Sequence, residues 1–198
     1  MRDLFCAILF LVFITPVLGQ KIETASGDIS ILVGEKELSL SFGYDNMNVH
    51  GYPSEATFIK DKVKIREDHN PGSGEKFKKA WFSDRETVYE LLFIENFNRA
   101  LPKKRKIKVS VNNTNAKYNL HIQTLWVYPG YNVGPSQPAK IELLLQLYEI
   151  EHPETIVWES KSPTRIKGTV APYKRELRIG SAYSSLASGI SFLLKKAK

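Results

Sequence analysis

The sequence predicts an α+β fold, with a mixed or mostly antiparallel sheet and two principal helices packed on one of its faces. Three observations lead there. Apolar residues alternate with period two at 36–44, 107–111 and 118–128. They recur at helical spacing at 75–101 and 178–195. The strand-like and helix-like segments come in groups rather than in strict alternation, which favours antiparallel pairing over repeated crossovers.

Taken in order, 21–26 is a short leading segment. DISILV at 28–33 alternates through Ile29, Ile31 and Val33, and Gly34-Glu35 can turn the chain into 36–44, where Leu38, Leu40, Phe42 and Tyr44 share a face. This predicts a β-hairpin with one wet face. After an irregular 45–53, Ser54 is placed to cap a helix carrying Phe58, Ile59 and Val63, with Ile65 off the stripe. NPGSG at 70–74 breaks it. A second helix starts at 75 with Phe77 and Trp81, and Ser83-Asp84-Arg85-Glu86 has the form of a capping box, predicting a restart or kink. Tyr89, Phe93, Phe97 and Leu101 continue the stripe until Pro102 ends it.

Residues 107–111 form a strand with a basic approach, and 118–128 the next strand. There Tyr118, Leu120, Ile122, Thr124, Trp126 and Tyr128 fall on one face, and Asn119, His121 and Gln123 on the other. A Gly- and Pro-rich connection, 129–138, leads to a strand at 139–150 whose Leu143, Leu144 and Leu145 cover both faces, marking it as central or covered. EHPE turns the chain into 155–160, with Ile156 and Trp158 facing together. These three strands fit an antiparallel meander. Residues 161–177 hold a short edge strand or a loop. In the last helix Ile179, Ala182, Leu186 and Ile190 form the stripe, and small residues permit close approach to the sheet.

The first nineteen residues have the form of a secretory signal. An apolar run from Leu4 to Ile14 follows Arg2 and Asp3, and Val17 and Gly19 supply small residues before a cleavage site. Its removal leaves about 180 residues, a size for one α+β domain over 20–198. Cys6 leaves with the leader, and LGQK lacks the cysteine of a lipoprotein site. No later stretch is long enough to span a bilayer. An uncleaved Leu4–Leu18 anchor is the alternative. The expected location is periplasmic, outer-envelope or extracellular. The net charge of +7 permits a polyanionic partner, but export argues against nucleic acid.

Catalytic signatures are missing from the sequence. It contains no GxSxG elbow and no HExxH, and His50, His69, His121 and His152 are scattered. Glu149, Glu151 and Glu154 around His152 straddle a turn at Pro153 and fit a solvated acidic turn better than a metal site. No catalytic residue, metal ligand or cofactor is assigned. Two stretches are candidates for binding. Trp126, Tyr128 and Tyr131 flank a restricted loop, and aromatics on a rigid strand end can contact peptide or sugar with little entropy loss. The competing reading has Trp126 and Tyr128 capping the core, with only Tyr131 exposed. The run Lys103, Lys104, Arg105, Lys106 and Lys108 fits either a lysine-protected edge strand or contact with anionic lipid or another polyanion.

The leader, the segment 76–98 (KFKKAWFSDRETVYELLFIENFN), the segment 118–150, VWES and the Ser/Gly-containing last helix together resemble uncharacterised exported proteins of Bacteroidetes-type bacteria. More distantly, the strand-loop-strand section is similar to envelope auxiliary proteins of ABC transport systems. That resemblance implies an α+β domain acting through protein or lipid contacts. The expectation is an exported, envelope-associated binding or accessory protein without catalytic activity, its partner an envelope protein, a lipid or a glycan. The alternatives are a secreted hydrolase whose site assembles from dispersed residues, and a structural module contacting anionic lipid.

Overall fold

The computed structural model describes residues 21–103, 106–170 and 174–197. The secretory-signal reading of 1–19, with Cys6, lies outside the described residues, as do Lys104 and Arg105 of the basic run. The chain forms the expected α+β arrangement, a mixed sheet with helices gathered on one side.

The expected N-terminal hairpin is not formed. Thr24–Gly27 is strand β1, and Ile29–Leu32 is a 3-10 turn rather than a strand. Asp28 caps that turn, its carboxylate accepting from the Ser30 backbone N–H at 2.8 Å and from the Ser30 hydroxyl. This local bond competes with extended pairing. The turn buries Ile29 and Leu32, three residues apart, and exposes Ile31 and Val33. β2, Glu37–Gly43, keeps its alternation with Leu38 and Leu40 buried, but its partners are distant in sequence and parallel to it. Asn48–Val49 is a two-residue strand, β3.

Ser54 caps α1 (Glu55–His69), accepting from the Thr57 N–H at 3.2 Å. Phe58 and Ile59 are buried and Ile65 is exposed. α2 spans Ser73–Asp84. Of the predicted restart or kink, the restart at Ser83 does not occur. Ser83 donates its hydroxyl back to the Ala80 carbonyl at 3.3 Å, and Arg85–Tyr89 forms a π-helical turn that runs without interruption into α3, Glu90–Ala100. The extra residue in a π turn changes the helix phase. Before it, Phe77 and Trp81 face Phe58 of α1; after it, Tyr89 stacks on Tyr183, and Phe93 sits edge-on to Phe42.

The remaining elements are β4 (Lys108–Val111), β5 (Tyr118–Tyr128), β6 (Lys140–Glu149), β7 (His152–Ser160), β8 (Thr164–Lys167) and α4 (Arg175–Lys196). The sheet order is β1-β7-β6-β5-β2-β4. β3 continues beside β5 beyond β2, and β8 beside β6 beyond β7. β2 runs parallel to β4 and β5, and β3 parallel to β5; the other pairs are antiparallel, including the β5-β6-β7 meander. β7 starts earlier than the expected 155, after a tight turn at Ile150-Glu151. Ile156 is 38% exposed while Trp158 is fully buried, because an irregularity in the β6 register separates their faces. α3 and α4 pack against each other and over the sheet. Phe93, Phe97, Tyr183 and Trp158 are fully buried between these layers. Removing side chains such as Phe93 and Phe97 from water stabilises the fold by about 1.5–3 kcal/mol each. This layer therefore forms the centre of the core, and the opposite sheet face is left half-exposed.

Candidate ligand-binding site

One bulge decides which side chains that open face presents. Along β5 the register runs Ile122 opposite Leu145, Thr124 opposite Leu143, then Trp126 opposite Glu142. Leu125 is the inserted residue, and an extra residue reverses the alternation beyond it. Strict period two places Trp126 and Tyr128 with Ile122 on the core face. The bulge instead sends Val127 into the core and turns Trp126 and Tyr128 to the open face, beside Asn119, His121 and Gln123.

Trp126 and Tyr128 are both half-buried there. Their rings are nearly parallel, 18° apart, with centroids separated by 6.4 Å. His50, which the sequence did not single out as a binding residue, stands edge-on to both at 5.6 and 4.9 Å. Its position follows from β3: Val49 pairs with Val127, and the His50 N–H donates to the Val127 carbonyl at 2.9 Å. The Lys140 ammonium lies 5.5 Å from the Tyr128 ring centre, a cation–π contact. Tyr131 is 48% exposed on the adjoining loop. The loop is closed by paired backbone bonds between Tyr131 and Gln137, and the Arg178 side chain of α4 donates to the Pro129 carbonyl. Gly130 there has φ +78°, and a Cβ would meet the Gln137 carbonyl at 2.8 Å, so glycine is required.

The rest of the open face is rich in neutral hydrogen-bonding groups. Ser41 lies directly across from His121, and its Oγ is 2.9 Å from Nδ1. Asn119 donates to Ser41 Oγ at 2.8 Å and to the Tyr148 hydroxyl at 2.9 Å. Gln123 donates to the Asp45 carbonyl at 3.0 Å, and Gln146 to Glu159 at 2.7 Å. Near Asn119 and Tyr148 the face dips into a polar hollow of about 330 Å³, reaching Ser39 and Asn113. His50 and the Ser41–His121 pair emerge only from strand pairing. The one sequence sign of the pair was that both residues sit on the polar side of their strands.

The basic run lies elsewhere. Lys103, Lys106 and Lys108 are exposed, and Lys108 opens β4, the outermost strand. Lys106 lines a cleft of about 260 Å³ with Lys36, Leu32, Ile107 and Leu194, which brings the C-terminal end of α4 alongside the run. β2 pairs Glu37 with Lys108 and Ser39 with Asn119. Lys108 is thus level with the start of β5, about 30 Å along the strands from Tyr128 at ~3.3 Å per residue. The two sequence candidates are separate surfaces.

A third polar cluster lies part-buried where α1, α2 and the start of α4 meet. Arg85 pairs with Glu55, and Arg175 with Asp84, each at 2.5 Å. The Tyr44 hydroxyl donates to Glu90, and Tyr183 is bonded to Thr124. Burial raises the carboxyls of Asp84 and Glu90 above the usual range despite these partners, and pushes the phenols of Tyr44, Tyr89 and Tyr183 up. The space between Tyr44, Arg85, Tyr89 and Tyr183 leaves room for about one water, too little for a substrate. Among the described residues no group of three His, Cys, Asp or Glu is arranged to hold a metal ion.

No family model matches the chain, and no curated protein matches it. Among solved structures, a PelC dodecamer from Paraburkholderia phytofirmans is 11% identical, with a TM-score of 0.41 over 85% of this chain and 97% of that one. A point variant of that protein in a second crystal form gives 12% and 0.43, over 90% and 99%. Protein XCC0632 from Xanthomonas campestris, of the DUF330 family, gives 12% and 0.36, over 79% and 81%. Likenesses this shallow assign no activity, ligand or assembly to the chain.

Proposed function

We propose that this chain is a non-catalytic accessory protein of the cell envelope that binds glycan on the open face of its sheet. The envelope placement rests on the form of residues 1–19. The glycan reading rests on one observation: the β5 bulge holds Trp126 and Tyr128 nearly parallel on the open face, with His50 packed against both. Aromatic rings offer apolar faces to the C–H surfaces of a sugar, and the neighbouring amide, hydroxyl and imidazole groups can bond to its hydroxyls. Trp126 also provides the assay. Of the three tryptophans, Trp81 and Trp158 are buried, so a glycan titrated onto the face should change the fluorescence of Trp126. A panel of purified envelope polysaccharides and peptidoglycan fragments that leaves this signal unchanged, and shows no calorimetric binding, rejects the proposal.

A second reading has its own observation. The Ser41–His121 hydrogen bond joins a hydroxyl to a base on an accessible face, the first requirement of a serine hydrolase. Against it, the bond is also that of an ordinary cross-strand pair, and Asn119 occupies a lone pair of the hydroxyl. Labelling by a fluorophosphonate probe that Ser41→Ala abolishes would favour hydrolysis over simple binding. An unlabelled protein would remove that reading.

A further inference from the structure

The α1–α2 hairpin carries a groove on its outer side that the open sheet face does not explain. α1 divides its apolar residues between two directions. Phe58 points inward to Phe77 and Trp81. Ala56, Ile59 and Val63 line the outer groove, together with Phe82 of α2. Phe82 is 41% exposed, whereas Ile59 is recessed at 7%. The helices approach closely because residue 74 is glycine: a Cβ there would lie 2.6 Å from the Val63 carbonyl. The groove has a volume of about 520 Å³.

The lips of the groove are charged with one dominant sign. Lys60 and Lys64 stand one turn apart on α1, and Lys78 faces them from α2. Of the two lip carboxylates, Glu55 is held by Arg85 and the Trp81 indole, and Glu75 lies 4.0 Å from Lys78. The positive charge of Lys60 and Lys64 therefore borders an apolar floor.

The geometry points to a binding site for a single-chain anionic amphiphile, a long-chain fatty carboxylate, with its chain along Ala56, Ile59 and Val63 and its head between Lys60 and Lys64. Size separates this ligand from a peptide helix. Three helical turns about 10 Å wide fill over ~1,000 Å³, whereas 520 Å³ falls among small-molecule pockets of about 300–1,000 Å³. A bilayer surface fits less well, because docking onto lipid needs several large apolar side chains that stand proud, and here Phe82 alone does so while Ile59 is recessed. A neutral amphiphile would leave both lip lysines without a partner.

The test uses the full purified chain and sodium oleate, kept below its micellar concentration, in isothermal titration. The expected result is saturable binding at one site. Ala56→Trp should abolish it by filling the groove from an exposed position. Lys60→Glu with Lys64→Glu should weaken it tenfold or more. Trp126→Ala should leave it unchanged, which separates this site from the open sheet face. Circular dichroism melts check that each variant folds. The inference is overturned if the parent chain shows no saturable binding, if both groove variants bind like the parent while folded, or if the protein takes up phosphatidylglycerol vesicles but not monomeric oleate.

Discussion

Tyr183→Phe should loosen the attachment of α4 to the sheet by an amount that a second substitution cancels. The Tyr183 hydroxyl is 2.7 Å from Thr124 Oγ1, and both residues are fully buried. The Tyr44 hydroxyl donates to Glu90 at 3.2 Å. Each hydroxyl has one proton to donate. Either hydroxyl can therefore be the donor of the Tyr183–Thr124 bond. Tyr183→Phe then strands the buried Thr124 hydroxyl, costing about 1–3 kcal/mol. In a domain of this size each kcal/mol moves Tm by about 2–4 °C, so a fall between ~2 and ~12 °C is expected. Thr124→Val alone should likewise strand the buried Tyr183 hydroxyl, at a similar cost of about 1–3 kcal/mol. In the Tyr183→Phe background, Thr124→Val removes the stranded group and should restore most of the loss. Urea unfolding of the four proteins gives the cycle directly. A neutral Tyr183→Phe, or effects that add within about 0.5 kcal/mol, would refute this buried pairing.

Gly74→Ala should destabilise the protein by about 1–3 kcal/mol in chemical unfolding despite alanine's better helix propensity, because the new Cβ meets the Val63 backbone carbonyl. A stabilised variant would contradict the close approach of α1 and α2. Glu67 accepts from the backbone N–H groups of Gly72, Gly74 and Glu75, which holds its carboxyl below the usual range. Its folded pKa is therefore lower than its unfolded one, about 4.3. Its contribution is complete above that value and is lost as pH falls through it towards the folded pKa. Glu67→Gln should show a shallower fall in Tm on that acid side than the parent, and parallel curves would discount the cap. The exposed Lys103, Lys106 and Lys108 should draw the chain onto phosphatidylglycerol vesicles at low salt, with release as salt screens the charges. Sedimentation that is unchanged when all three become Glu would assign these lysines only to edge protection.

Much of the architecture is legible along the chain because its signals are local. Ser54 caps α1, Pro102 follows the end of α3, and the α4 stripe of Ile179, Ala182, Leu186 and Ile190 is buried as its spacing implies. The misreadings share a cause. Ile29, Ile31 and Val33 alternate, yet the Asp28 cap winds them into a 3-10 turn. Ser83 to Glu86 fits a capping box, yet the helix absorbs the irregularity as a π turn. Single insertions are invisible to periodicity, and the β5 bulge at Leu125 is the costliest, since it decides whether Trp126 and Tyr128 face the core or the open side. Parallel pairing of β2 with β5 is equally non-local, so Ser41 opposite His121 and His50 beside Trp126 come from topology alone.

The central claim is that the aromatic end of the open sheet face is where this protein binds its ligand. Calorimetric titration of a glycan that binds the parent chain, repeated with Trp126→Ala and with Tyr128→Ala, tests it most directly. Both side chains are half-buried on the open face, so both variants should fold. Each should weaken binding at least tenfold, about 1.4 kcal/mol. Folded variants that bind with the parent's affinity would contradict the account.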